Sequence, residues 1–156
     1  MEGRLRMHMD LQPLKKLQKK SPEAFRKAAE IGAIQFLNWA NNGSKNESRK
    51  PPIKWGVLRG SSSCFVGSEL VEIFSINVSG EKGATPARSY RAKDLVITWV
   101  WNTDYAAKMH EWKGGWGKAT ERDIDAGNKW LEKHLAKDRN DLIIVIGKEY
   151  KKVSGL

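Results

Sequence analysis

The apolar positions Phe25, Ala28, Ala29, Gly32, Phe36, Trp39 and Ala40 recur three and four residues apart, the spacing that gathers side chains on one face of an α-helix. Ser21 and Pro22 stand just before them, a residue suited to the N-cap followed by one whose fixed φ suits the first helical position. Asn41-Asn42-Gly43-Ser44 closes the stretch, since asparagine and glycine accept the backbone conformations that end a helix. These signals predict a helix over residues 22–41. Further on, the period shortens towards two. Leu70, Phe74, Ile76 and Val78 share one side of the run 70–78, with Val71 and Ile73 opposite. Leu95, Ile97, Trp99 and Trp101 share one side of the run 95–101, with Val96 and Val100 opposite. The two runs read as two antiparallel strands of one sheet, each partly covered on both faces.

Thr120 is placed to cap a second helix, with Ile124, Gly127, Leu131 and Leu135 as its stripe and Lys129, Lys133 and Lys137 towards its negative end. Asn140-Asp141 then reads as a turn into Leu142-Ile143-Ile144-Val145-Ile146, a short apolar run expected to be a buried strand. Tyr105–Trp112 fits a short helix, and Lys113-Gly114-Gly115-Trp116-Gly117 fits no regular element. Residues 45–50 and 79–94 are polar and expected to be loops, and Pro51-Pro52 bars any continuation of the first helix. The expected fold is α+β: a small antiparallel β-sheet packed against a long N-terminal helix and a second C-terminal helix, with long loops. At 156 residues the chain suits one domain. That domain is expected over 21–147, with a basic leader at 1–20, in which a short helix fits, and a tail at 148–156.

Charge adds a preference for anionic neighbours. Lys and Arg number 28 against 18 Asp and Glu, a net charge of +10. Residues 1–20 carry six basic against two acidic side chains, and two loops carry similar excess. In the first loop Lys45, Arg49, Lys50, Lys54 and Arg59 face only Glu47. In the second, Lys82, Arg88, Arg91 and Lys93 face only Glu81 over residues 79–93, with Asp94 next in the chain. Such runs are ordinarily solvated surface, and otherwise contacts to phosphate or an acidic partner. No helix-turn-helix, zinc finger or aromatic RNA-binding signature accompanies them, so reading of bases is not expected.

Cys64 is the single cysteine, so no disulfide forms within the chain, and a reducing compartment is expected. No apolar h-region follows Arg4 and Arg6, and no apolar run is long enough for a membrane span. Candidate chemistry is sparse. His110-Glu111 lacks the second histidine of a zinc helix, because position 114 is glycine. Gly117-Lys118-Ala119-Thr120 lacks the earlier glycine of a phosphate loop, position 112 being tryptophan. His134 sits beside a helix stripe and reads as a structural histidine. No catalytic residue, metal site or cofactor is expected. Of the seven tryptophans, Trp39, Trp99 and Trp130 read as core. Trp55, Trp112 and Trp116 lie in loops and either cap the core edge or make subunit contacts.

Three segments in fixed order carry a resemblance. Pro51-Pro52-Ile53-Lys54-Trp55-Gly56-Val57-Leu58-Arg59-Gly60-Ser61 resembles the pattern "proline, aromatic or threonine, glycine, x, leucine, arginine, x, serine". Asp104-Tyr105-Ala106-Ala107-Lys108-Met109-His110-Glu111 resembles "tyrosine-alanine, then histidine-glutamate", and 127–135 resembles a late helix, "lysine, aromatic, leucine, glutamate, x, x, leucine". Together they resemble the minor-capsid and tail-completion proteins of tailed phages, which form the head-to-tail neck. Trp55 stands where many relatives carry threonine, and the 79–94 segment is longer than usual.

The resemblance implies a structural virion protein rather than an enzyme. It would be assembled in the host cytoplasm as a six-fold homo-oligomeric ring between the head connector or adaptor and the tail terminator or tail tube, with genomic DNA passing non-specifically through the channel. No membrane partner is implied. Trp55, Gly56, Leu58, Arg59 and Ser61 would then fix the approach of the loop into a strand, and Tyr105 and His110 would pack the second landmark on the sheet. Lys50, Lys54, Lys82, Arg88, Arg91 and Lys93 would be channel or partner contacts, and Trp112 and Trp116 interface aromatics. The 79–94 loop, the leader and the tail would order only against neighbouring rings. The alternative expectation is a basic nucleic-acid-binding protein without sequence preference.

Overall fold

The computed structural model describes residues 5–47, 61–73, 96–102 and 130–155 of the chain. Four strands, β1 (Leu5–Asp10), β2 (Ser62–Val66), β3 (Glu69–Ile73) and β4 (Val96–Trp101), form one sheet in the order β1-β4-β2-β3. Every neighbouring pair is antiparallel. Among the described residues three α-helices accompany it: α1 (Lys15–Lys20), α2 (Pro22–Asn42) and α3 (Trp130–Ser154). The fold is therefore the α+β arrangement expected from the hydrophobic pattern. It is layered, with α2 packed on the sheet and α3 running along α2.

Helix α2 begins and ends where its sequence signals place it. Ser21 holds an extended N-cap conformation and its carbonyl accepts the Phe25 N–H at 3.0 Å, although its hydroxyl makes no capping bond. Gly43 ends the helix at φ 87° and ψ 157°, a conformation open essentially to glycine, and its N–H reaches the Trp39 carbonyl at 2.8 Å. Phe25, Ala28, Ala29, Gly32, Ala33, Phe36, Leu37 and Ala40 are all buried, whereas Trp39 packs on the core while half-exposed. Against them lie Cys64 and Val66 from β2 and Ile97, Trp99 and Trp101 from β4. Phe65, Thr98 and Val100, which point to the other face, are buried as well. Both faces of the central strands are covered, as the dense apolar run of β4 implies.

Three elements differ from expectation. Residues 5–20, expected as a basic leader with at most a short helix, contain β1 and a 3₁₀ turn at Gln12–Leu14 besides the short helix α1. Leu5, Met7 and Met9 turn towards the core and Arg6, His8 and Asp10 turn outward, while Leu5 pairs with Trp101 and Asp10 with Val96. The strands 69–73 and 96–101 are not neighbours. β2, unforeseen, lies between them, so β3 and β4 run parallel in direction. β2 turns into β3 through Gly67 and Ser68, with Gly67 at φ 59°, and Val71 forms a bulge opposite the Cys64–Phe65 step. The residues of 70–78 beyond Ile73 lie outside the described residues, as do the 79–94 loop, the 105–112 helix and the start of the second helix at Thr120.

The third difference is largest. Leu142–Ile146 is not a strand but one turn of α3, which runs without a break through Asn140-Asp141 and through the tail as far as Ser154. Leu131, His134, Asp138, Leu142, Ile146 and Tyr150 are buried at intervals of three and four, and Ile143 and Ile144 are exposed. Periodicity inside the apolar run is helical; two polar members of the stripe, His134 and Asp138, conceal it.

α2 and α3 lie antiparallel and close. A Cβ on Gly32 would stand 2.6 Å from Ile146 Cγ1 and 3.5 Å from Leu142 Cδ1. Gly32→Val is expected to lose about 2–3 kcal/mol by overpacking. Gly32→Ala is expected to lose less, because alanine regains about 1 kcal/mol of helix propensity. Urea denaturation reads this order, and a Gly32→Val protein as stable as the parent would refute the close approach.

Candidate functional site

Of the residues to which the resemblance gives a structural, channel or interface role, Ser61 is the one the described structure contains. Its hydroxyl accepts the Asn102 N–H at 3.1 Å and its carbonyl accepts the same N–H at 3.2 Å, which ties the start of β2 to the end of β4. Ser61 is fully buried and serves the fold. Trp55, Gly56, Leu58, Arg59, Tyr105, His110, Lys50, Lys54, Lys82, Arg88, Arg91, Lys93, Trp112 and Trp116 lie outside the described residues, as does the side chain of Trp130.

Two polar networks, each built on fully buried side chains, were not legible in the sequence. In the first, the Trp101 indole N–H donates to Asn41 Oδ1 at 3.0 Å, and Asn41 Nδ2 donates to the Ser62 hydroxyl at 2.9 Å. This joins the last turn of α2 to β4 and β2. In the second, Asp138 is the centre. Its Oδ2 accepts His134 Nδ1–H at 2.6 Å, and its Oδ1 accepts the Ser44 hydroxyl at 2.7 Å and Asn46 Nδ2 at 3.1 Å. Asn46 also donates to Asp141 Oδ2 at 2.6 Å. The half-exposed Ser44 holds the loop itself together, accepting the Glu47 N–H at 3.1 Å while its own N–H reaches the Glu47 carbonyl at 2.7 Å. Lys137 lies 3.8 Å from the buried Glu47 carboxylate.

Serine, aspartate and histidine meet here, but in an order that does not activate a nucleophile. In a hydrolytic relay the imidazole stands between hydroxyl and carboxylate, so that it can take the hydroxyl proton. In this cluster the carboxylate stands between them, and both His134 and Asp138 are fully buried. The arrangement clamps the 43–47 loop onto α3. Cys64, the other nucleophile type, is buried between β3 and β4, which pushes its thiol up to about 12, with the facing Glu72 carboxylate adding to the rise and a backbone hydrogen bond opposing it. Because the thiolate is the reactive form, Cys64 is inert at neutral pH. Among the described residues no group of three or more His, Cys, Asp or Glu side chains could hold a metal ion.

Two surface depressions flank Arg26. One, of about 570 Å³, is lined by Pro22, Glu23, Arg26, Lys27, Glu30 and Val153. The other, of about 300 Å³, runs from Gln18 and Phe25 to the β2–β3 turn at Gly67 and Ser68. Arg26 bridges them by pairing with Glu30 at 2.9 Å and with Glu69. These ion pairs are solvated and contribute little stability. Acidic and basic side chains balance in the larger depression, so it offers no charge that would select a ligand.

The charge that is not balanced lies beside it. The Tyr150 hydroxyl donates to the Leu17 carbonyl at 2.9 Å and fixes the last turns of α3 against α1. Lys15, Lys16, Lys19 and Lys20 on α1 and Lys148, Lys151 and Lys152 on α3 are all exposed. No helix of the described residues is long and apolar enough to cross a membrane. Comparison of the chain with family models, with curated proteins and with solved structures finds no match.

Proposed function

We propose that the chain is a structural virion protein of a tailed bacteriophage, a subunit of the neck ring that completes the tail and joins it to the head connector around the DNA channel. The observation that carries this reading is the succession of three landmarks, residues 51–61, 104–111 and 127–135, in one α+β chain. Two features of the fold support it. The first landmark ends at Ser61, where β2 begins, and the third runs into α3. A ring requires each subunit to present two different, complementary surfaces, and the described helices and sheet edges offer surfaces of different kinds. In this reading the protein has no catalytic role and resides in the virion, with copies of itself, the head connector and the tail terminator or tail tube as partners.

The leader and tail take a different part than the sequence suggested. With β1, α1 and the end of α3 built into the subunit, ring contacts fall to folded surfaces at those places rather than to segments that order on assembly.

A second reading, a basic nucleic-acid-binding protein acting alone, is favoured by the lysine-rich end of α1 and α3. The two readings separate on particle mass and location. Mass photometry of the purified chain with tail tubes, and electron microscopy of labelled particles, are expected to show a closed ring at the head-to-tail junction. A protein that stays monomeric and is absent from particles would overturn the ring and leave the second reading.

A further inference from the structure

We infer that the face formed by α1 and the last two turns of α3 is a docking surface for the phosphate backbone of double-stranded DNA. The inference deepens the proposed function at one point, the place of DNA contact, and rests on that reading for the choice of DNA as the polyanion.

The surface is a product of folding. Lys15, Lys16, Lys19 and Lys20 are separated in sequence from Lys148, Lys151 and Lys152 by nearly the whole chain, and the Tyr150–Leu17 hydrogen bond sets the two groups side by side. Tyr150 is buried between Lys148 and Lys151, and Leu17 packs on the core between Lys16 and Lys19, so the anchors point inward while the lysines point out. Residues 15–27 hold six basic side chains against Glu23, and residues 148–155 hold three against Glu149. None of the seven lysines enters an ion pair among the described residues.

The ordinary account of lysines at a helix C-terminus is that they offset the dipole. That account is too small here. The ends of α1 and α3 supply about half a negative charge each at most, against seven lysine charges. Spacing favours a repeating anion: Lys15 and Lys19, Lys16 and Lys20, and Lys148 and Lys152 are each four apart, which sets them about 6 Å apart along a helix face. Lysines on flexible stems contact phosphates as point charges and do not read bases. A lipid surface fits less well. Membrane-lying helices need a free apolar face, and α1 spends its one apolar side chain, Leu17, on the protein core, as does Leu14 just before it.

The test uses the full-length protein and a fluorescent duplex of mixed sequence, with binding followed by anisotropy across a salt series. Wild type is expected to bind with a steep negative slope of log K against log salt. The triples K16Q/K19Q/K20Q and K148Q/K151Q/K152Q are each expected to weaken binding about tenfold at low salt and to flatten the slope by about two to three, one for each phosphate no longer neutralised. A control triple at the other end of α3, K133Q/K137Q/R139Q, removes the same charge and is expected to leave affinity within about twofold of wild type. Matching circular dichroism and melting temperatures establish that all three fold.

Equal weakening by all three triples would overturn the surface in favour of net charge alone, and wild-type affinity in both patch triples would overturn it outright. Flotation with phosphatidylserine vesicles supplies the competing outcome: lysine-dependent capture by vesicles without duplex binding would assign the face to lipid. Ring formation is read separately on particles, so a duplex-binding patch on a protein absent from the neck would sink the ring reading and leave this surface standing.

Discussion

Asp138→Ala is expected to destabilise the protein by about 3–5 kcal/mol, a large share of the total for a domain of this size. The carboxylate is buried and satisfies three donors from three residues, His134, Ser44 and Asn46. Removing it strands a buried imidazole and withdraws the anchor of the loop that follows α2. Loss of one partner costs far more than the pair contributes net, because the remaining polar groups stay out of water. Asp138→Asn, which keeps the shape and one acceptor, is expected to lose roughly half as much. Thermal unfolding should show Asp138→Ala melting about 10 °C below wild type. A shift of only a degree or two would mean that water reaches the cluster and that the loop is held by other contacts.

Trp99→Ala is expected to cost about 3–5 kcal/mol through the cavity it leaves. Trp99 is fully buried on the helix-facing side of β4, its ring centroid 4.6 Å from that of Phe36 with the planes tilted by 50°. Its indole N–H donates to the Ala33 carbonyl at 2.9 Å, so one side chain joins the middle of the sheet to the middle of α2. Trp99→Phe separates the two contributions. It keeps most of the apolar volume and removes the hydrogen bond, with an expected loss of about 1–2 kcal/mol. Equilibrium unfolding in guanidinium distinguishes these values. A Trp99→Ala protein within about 1 kcal/mol of wild type would place the centre of the core elsewhere than between α2 and β4.

These two residues also show where sequence was informative. Trp99 announces itself: it belongs to a dense period-two run, and its burial on the face shared with Ile97 and Trp101 follows from that spacing. Asp138 does not. An aspartate one turn after a histidine in a lysine-rich stretch looks like solvated helix surface, and only the approach of Ser44 and Asn46, about 90 residues earlier in the chain, makes it an anchor. The lysine face is similar. Each half is visible in the sequence as a charge run, whereas their union depends on Tyr150 reaching Leu17.

The sequence by itself determined α2 with both its ends, the strand β4 and its inward face, and the α+β class, because helix caps, proline, glycine and short-range periodicity are properties of a few adjacent residues. It also held β1 in plain view, since Leu5, Met7 and Met9 alternate with Arg6, His8 and Asp10, although the basic charge of residues 1–20 resembles that of a solvated leader. Tertiary structure alone decided the strand order β1-β4-β2-β3, since pairing partners distant in sequence are chosen by the sheet as a whole. It also decided that Leu142–Ile146 is helical. A five-residue apolar run fits a buried strand or a helix equally well. Burial of Leu142 and Ile146 against Gly32, with Tyr150 one turn further on, resolves the choice because a four-residue repeat meets α2 only when the backbone is helical.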